Sequence, residues 1–211
     1  AGLLLVVAPL LALTLAGAST SSGVINITGG TLTANSTLSA SKVNLSSGVL
    51  GGTGAIALTG TGSTWTGGTL LGSGTLTVNA GATFTVNNTA NIFLDGYTLA
   101  NAGTVTWAST ATNGWFGQNA GKIDNQTGGV FDIQNNQALV YNSGTVPTIA
   151  NAGTFQKSAG IGTSNVGFVL NNNTGGQVKG LSGTLSFNAG GADAGSFSAD
   201  AGHVVQFNGG T

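Results

Sequence analysis

The chain has 211 residues, a net charge of −1 and only 4% charged residues, against about 25% in an average soluble protein, so charge-driven binding to nucleic acid or to an anionic membrane is not expected. It contains no cysteine, which excludes a disulfide framework, a thiolate metal site and a cysteine nucleophile. Its 38 glycines stand among 40% hydrophobic residues, a proportion too high for a disordered low-complexity tract, so we expect the chain to fold.

Residues 1–18 form an apolar N-terminal segment. The run Leu3–Leu15 is interrupted only by Pro9 and Thr14, and it is shorter than the ~20 residues of a transmembrane helix, as in the hydrophobic region of a signal peptide. Ala16–Ala18 then matches the small-x-small cleavage pattern. Because the preceding basic segment and initiator methionine are missing, we predict a truncated signal peptide. The alternative is a buried apolar strand or an N-terminal cap of the fold.

From Val24 onward, short runs of alternating polar and apolar residues recur between glycine and asparagine turns. Strict alternation is typical of a β-strand with one buried face, and no stretch after residue 20 shows helical periodicity. The sequence therefore predicts an all-β fold. Clear examples of the alternation are Thr75–Val78, Thr83–Val86, Thr104–Trp107 and Thr184–Phe187.

A longer period overlies these strands. Glycines that open a strand recur about every 24 residues, in the range of solenoid repeats, at Gly30, Gly54, Gly74, Gly103, Gly129, Gly153, Gly176 and Gly195. The second residue after each glycine is apolar, whereas the first and third are mostly small or polar. We predict that the apolar column faces inward; it consists of Leu32, Ile56, Leu76, Val105, Phe131, Phe155, Val178 and Phe197.

A unit of this length holds two or three short strands with their turns. Stacking such coils at ~4.8 Å satisfies the backbone of each coil and covers its apolar face, while glycine and asparagine accommodate the tight corners. We therefore predict that residues 19–211 form one repeat domain, a parallel β-helix (β-solenoid) of about eight coils of roughly 24 residues.

The segments Gly74–Val86, Asn151–Phe155 and Gly183–Phe187 resemble the β-strand repeats of large bacterial surface proteins, namely autotransporter passengers and filamentous-haemagglutinin-like adhesins. The resemblance covers roughly residues 24–211. It implies export, a right-handed parallel β-helix and a role in adhesion or surface display, and it supplies no ligand residues. We expect the chain to be a fragment of a longer protein with further domains.

The ionisable residues form no recognisable site in the sequence. A hydrolase of this fold needs clustered carboxylates, and related lyases use an arginine, which is absent here. Asp132 and Lys179 fall at outward positions, and the lone His203 has no sequence-fixed partner, so we expect surface side chains. We predict no enzyme activity, no catalytic residues, no metal and no cofactor. The acids are dispersed as Asp95, Asp124, Asp132, Asp193 and Asp200.

One aromatic pair is a candidate for ligand binding. Trp115 and Phe116 follow Gly114 within the loop-like stretch Ser109–Gly121, where an exposed ring could stack on a sugar. The alternative is an aromatic lid over a corner of the solenoid, since large aromatic side chains are usually buried.

These features favour a non-catalytic extracellular repeat module, secreted or on a bacterial cell surface, that serves as an adhesin-type display or a stalk. Expected partners are glycans, a host or neighbouring cell surface and further domains of the same chain, with no nucleic acid and no membrane span in the mature chain. A carbohydrate-active enzyme or glycan-binding module is the alternative. Ice binding is a third hypothesis, because Thr-x-Thr pairs recur at Thr31/Thr33, Thr64/Thr66, Thr75/Thr77, Thr83/Thr85 and Thr104/Thr106.

Overall fold

The computed structural model describes residues 5–110 and 112–209, and these residues form an all-β parallel solenoid. Every pairing between its named strands is parallel, and about ten turns of about 21 residues stack on one another. The predicted fold class is confirmed, although the prediction of about eight coils of 24 residues undercounts the turns. No helix among the described residues is long and apolar enough to cross a membrane.

The described residues form 25 strands. Their bounds are β1 Leu5–Val7, β2 Ala12–Leu15, β3 Ser19–Ala34, β4 Leu38–Gly51, β5 Ala55–Leu58, β6 Ser63–Trp65, β7 Gly68–Leu71, β8 Thr75–Val78, β9 Thr83–Val86, β10 Ile92–Asp95, β11 Thr98–Asn101, β12 Thr104–Trp107, β13 Trp115–Gln118, β14 Lys122–Asn125, β15 Val130–Ile133, β16 Leu139–Ser143, β17 Thr148–Asn151, β18 Thr154–Lys157, β19 Thr163–Val166, β20 Val169–Asn172, β21 Gln177–Gly180, β22 Thr184–Phe187, β23 Gly191–Asp193, β24 Ser196–Ala199 and β25 Val204–Phe207.

Successive strands fall on three faces, which we name A, B and C after the order in which the chain visits them. Face A holds β1, β6, β9, β12, β15, β18, β21 and β24. Face B holds β2, β7, β10, β13, β16, β19, β22 and β25. Face C holds β5, β8, β11, β14, β17, β20 and β23. The long strands β3 and β4 each run through faces C, A and B in turn.

The core is a continuous column of apolar side chains that point inward from alternate positions of each strand. Aromatic rings dominate its middle: the centroids of Phe131 and Phe155 lie 5.0 Å apart in nearly parallel planes, and Trp115 makes edge contacts with Trp65 and Trp107. Burying a large apolar side chain contributes about 1.5–3 kcal/mol, and in a solenoid each such side chain is covered by the neighbouring turns.

The predicted inward column is confirmed, and its register explains the undercounted turns. Seven of its eight residues are buried, and Phe197 of the last described turn is partly buried against the core. From Gly103 onward the marker glycines all precede face A strands. Gly30, in contrast, precedes a face B segment, while Gly54 and Gly74 precede face C strands. The predicted markers therefore skip part of a turn twice, between Gly30 and Gly54 and between Gly74 and Gly103, and the turn formed by β1 and β2 precedes all of them.

The N-terminal segment forms the first described turn. Leu5 pairs with Ile25 on face A, and Ala12 pairs with Thr31 on face B. Leu10 of this turn is fully exposed and has a φ of 66°, an unusual backbone conformation for leucine. Residues 1–4 of the predicted signal peptide, like Gly210 and Thr211 of the predicted repeat domain, lie outside the described residues. Cleavage after residue 18 stays a prediction.

A ladder of buried asparagines, which we call the asparagine ladder, closes the corner between faces C and A. Each amide nitrogen donates to the side-chain oxygen one turn further on, at 2.7–2.8 Å, and also to a backbone oxygen of the next face A strand. The repetition satisfies buried polar groups in four successive turns with one residue type. The ladder consists of Asn101, Asn125, Asn151 and Asn172, and it ends on the carboxylate of Asp193.

The corner between faces A and B changes character along the chain. In early turns Gly30, Gly48 and Gly68 stack there with positive φ, and a Cβ atom on any of them would overlap a backbone oxygen of the preceding turn. Only glycine fits so tight a corner. From residue 87 onward, longer loops replace this glycine column, with buried polar side chains such as Asn88 and Asn135 inserted beneath them.

Candidate recognition surface

The predicted aromatic pair is split between the core and the surface. Trp115 begins β13 with its side chain inward and is 0% exposed, packed against Trp65 and Trp107. The expectation that its ring is accessible to a sugar is therefore wrong, because the stretch assigned to a loop contains a strand in which Trp115 takes an inward position. Phe116, the next residue, points outward from face B and is partly exposed, so sugar stacking by Phe116 stays a prediction.

Phe116 belongs to an outward apolar column on face B, consisting of Phe93, Phe116 and Val140 in three consecutive turns. The rings of Phe93 and Phe116 stack with centroids 5.4 Å apart and planes inclined by 23°. Both side chains are partly exposed. The parallel register aligns them, since each lies directly opposite its partner in the neighbouring strand.

A polar column, consisting of Asp95, Gln118 and Asn142, runs beside the apolar column. The Gln118 amide nitrogen donates to Asp95 Oδ2 at 2.7 Å, and the Asn142 amide nitrogen donates to Gln118 Oε1 at 2.6 Å. Asn119 donates to the other Asp95 oxygen, Oδ1, also at 2.7 Å. These hydrogen bonds hold a carboxylate and two primary amides in a row on the outside of three turns.

Tyr141 and Leu71 extend this surface at its two ends, and each is 42% exposed. The Tyr141 hydroxyl donates to the Gly144 carbonyl at 2.7 Å, which restrains the ring. The pairing of β13 with β16 shifts register after Gly117, so Tyr141 lies at the edge of the regular ladder. We refer to the apolar column, the polar column and Tyr141 together as the face B surface. Sequence analysis identified only Phe116 of this set.

The five acidic side chains lie on different parts of the solenoid. Asp95 belongs to face B, Asp124 to face C and Asp132 to face A. Asp124 forms an ion pair with Lys122 at 3.0 Å on an exposed part of face C. Asp132, which we expected on the surface, points outward but is only 7% exposed, because Gln134 and Ser158 donate hydrogen bonds across it. His203 and Lys179 are partly exposed, as predicted.

The threonine pairs do not build a continuous array on one face. Thr83/Thr85 and Thr104/Thr106 are adjacent on face A, where Gly62 and Thr64 precede them and Val130 and Asp132 follow. The pair Thr31/Thr33 lies on face B and Thr75/Thr77 on face C. Complete pairs therefore occupy two consecutive turns of face A.

Lys157 is an ionisable group inside the core. It ends β18 at an inward position, in register with Ile133 before it and Gly180 after it, and it is 0% exposed. Its Nζ donates to the Asn135 and Ala159 carbonyls and also contacts Asn136 Oδ1 and Ser164 Oγ. Burial lowers the pKa of Lys157 to about 8. The two-residue alternation from Phe155 could have revealed this inward lysine.

Compared with known proteins, the chain matches no family model, no curated protein and no solved structure. The structure shows the solenoid architecture, whereas the resemblance to autotransporter passengers and filamentous-haemagglutinin-like adhesins stays a prediction. Groups of three or more histidine, cysteine or acidic side chains that could hold a metal ion are absent from residues 5–110 and 112–209.

Proposed function

We propose that this chain is a non-catalytic extracellular repeat module of a bacterial surface protein, and that it acts as an adhesin-type display of the face B surface. The observation that supports the proposal is the alignment of an outward apolar column with a polar column over the same three turns. Exposed apolar side chains rimmed by polar groups are typical of interaction sites.

The solenoid gives this surface the rigidity that recognition needs. The face B side chains project from strands hydrogen-bonded to neighbouring strands, which is a more precise placement than a loop provides. Ten turns stacked at ~4.8 Å make a rod roughly 45 Å long, so the module also separates whatever adjoins its two ends.

An adhesion assay tests the proposal. Fluorescent beads coated with the purified chain are applied to cultured epithelial cells and to bacterial cells, with albumin-coated beads as the background. We expect several-fold more chain-coated beads than albumin beads to remain after washing. Beads coated with Phe116→Ala should fall toward the background, whereas Val130→Ala, which shortens an outward side chain on face A, should behave as the parent chain.

Adhesion at the albumin background on every cell type would contradict the display function and leave only the role of a passive stalk. Adhesion that Phe116→Ala leaves unchanged would contradict the assignment of the face B surface. Circular dichroism of each variant checks that the solenoid is intact before the beads are coated.

A further inference from the structure

We propose that the face B surface binds a neutral, extended oligosaccharide of β-linked pyranoses lying along the solenoid axis. Its rings pack against the outer edges of the mutually stacked Phe93 and Phe116 rings, and its hydroxyls bond to Asp95, Gln118 and Asn142. The inference rests on the proposed function, because it names the ligand class of the surface that is displayed.

The spacing between successive turns of the two columns matches the spacing between successive sugars of such a ligand. Neighbouring strands lie ~4.8 Å apart, and the stacked rings of Phe93 and Phe116 have centroids 5.4 Å apart. An extended chain of β-linked pyranoses advances by nearly the same length per sugar. Successive sugars therefore meet equivalent groups on successive turns, which a glycan crossing the strands would not.

The distance between the columns suits one pyranose ring. Phe116 and Gln118 are two residues apart on β13, so their outward side chains leave the strand about 6.6 Å apart. A ring whose apolar C–H face rests on Phe116 thus places its edge hydroxyls beside Gln118. Apolar contact with the phenyl rings on one side and hydrogen bonding on the other distinguish a sugar from a purely apolar partner.

The polar column keeps hydrogen-bonding capacity for a ligand. A primary amide has two N–H donors, and in the described part of the chain Gln118 and Asn142 each use one of them in the contacts along the column. The Asp95 carboxylate accepts one hydrogen bond at each oxygen and has about four acceptor sites. Adjacent hydroxyls of a sugar both donate and accept, so this mixture of amides and a carboxylate is complementary to them.

The negative charge of the face B surface favours a neutral glycan over an acidic one. Asp95 gives the surface a negative charge, and the four lysines of the chain lie elsewhere: Lys42 and Lys179 on face A, Lys122 on face C and Lys157 in the core. A uronate or a sulfated glycan would bring a like charge to Asp95 without a cation to pair with it, which is unfavourable.

Isothermal titration calorimetry on the full chain tests the inference, with cellohexaose and chitohexaose as neutral probes and hexagalacturonate as the acidic one. We expect at least one neutral hexamer to bind and hexagalacturonate to bind at least tenfold more weakly. Phe116→Ala and Gln118→Ala should each weaken binding at least tenfold, while Val130→Ala on face A should leave the Kd unchanged.

Three results would overturn the inference: neither neutral hexamer binds at millimolar concentration, hexagalacturonate binds as tightly as they do, or Phe116→Ala retains the parent Kd. The bead assay separates this failure from failure of the proposed function. Beads that adhere through face B without binding a neutral hexamer would leave the display function standing and reject the oligosaccharide, whereas loss of both would reject both.

Discussion

Two corners of the same solenoid satisfy their buried polar groups in different ways. At the corner between faces C and A, the asparagine ladder satisfies buried polar groups with the same residue in four successive turns. At the corner between faces A and B, the loops lengthen from residue 87 onward, and the buried polar side chains differ from turn to turn: Asn88, then Ser109, then Asn135, then Lys157 with Ser164.

The difference teaches how loops are tolerated in a repeat fold. The asparagine ladder runs through turns of unequal length, with 24, 26, 21 and 21 residues from one member to the next. It persists because the pairing of the face C strands keeps each asparagine opposite its equivalent one turn away. The longer loops at the corner between faces A and B lie outside the paired strands, so their buried carbonyls need donors of their own. Lys157 is such a donor, since its Nζ bonds to the carbonyls of Asn135 and Ala159. The face B surface lies next to this irregular corner.

The largest expected effect is from breaking the asparagine ladder. Asn151→Ala removes the acceptor of Asn125 and the donor to Asn172 and to the Gln177 carbonyl. A buried unsatisfied polar group costs about 1–3 kcal/mol, so we expect the free energy of unfolding to fall by about 4 kcal/mol. Urea unfolding followed by tryptophan fluorescence measures the loss.

Asn171→Ala is the matched control. Asn171 points outward from the same face C, takes no part in the asparagine ladder and is partly exposed. Its substitution should change the free energy of unfolding by less than about 0.5 kcal/mol. A loss below 1 kcal/mol in Asn151→Ala would contradict the view that the ladder is a continuous stabilising element.

Lys157, at the irregular corner between faces A and B, should make the free energy of unfolding depend on pH. Below pH 8 Lys157 is protonated in both the folded and the unfolded chain, and stability includes the full cost of burying its charge. Between pH 8 and the unfolded value of 10.5 the folded chain binds fewer protons, so the free energy of unfolding rises with pH by roughly 3 kcal/mol.

Lys157→Met should abolish this rise, whereas Lys179→Met, on the neighbouring face A strand with a partly exposed side chain, should retain it. Urea unfolding at pH 7, 8, 9 and 10 provides the comparison, and subtracting one variant from the other removes the titration of the remaining groups. Parallel curves for the two variants would show that the Lys157 ammonium is not held in the core.

The sequence predicts the regular features of the fold, and it does not predict the features that depend on how successive turns pair. The alternation of Thr104–Trp107 or Thr184–Phe187 depends on neighbours two residues apart, so strands and their inward positions were predictable. The number of turns was not, because glycines open strands on all three faces and nothing local distinguishes Gly74 from Gly103. Grouping residues into the face B surface requires the register between turns, which sets Phe93 beside Phe116 although 22 other residues separate them.

The smallest expected effect concerns a single hydrogen bond at the irregular corner between faces A and B. Trp107 and Trp65 are both fully buried in the core of face A, but the indole nitrogen of Trp107 donates to Asn88 Oδ1 at 2.9 Å, while that of Trp65 has no acceptor among the described residues. Replacing either by phenylalanine removes the same volume. Trp107→Phe also leaves a buried Asn88 oxygen without its donor, so it should cost about 1–2 kcal/mol more than Trp65→Phe in urea unfolding. Equal losses would mean that the polar side chains of the irregular corner fill space without stabilising it, and that the longer loops there are held by apolar packing alone.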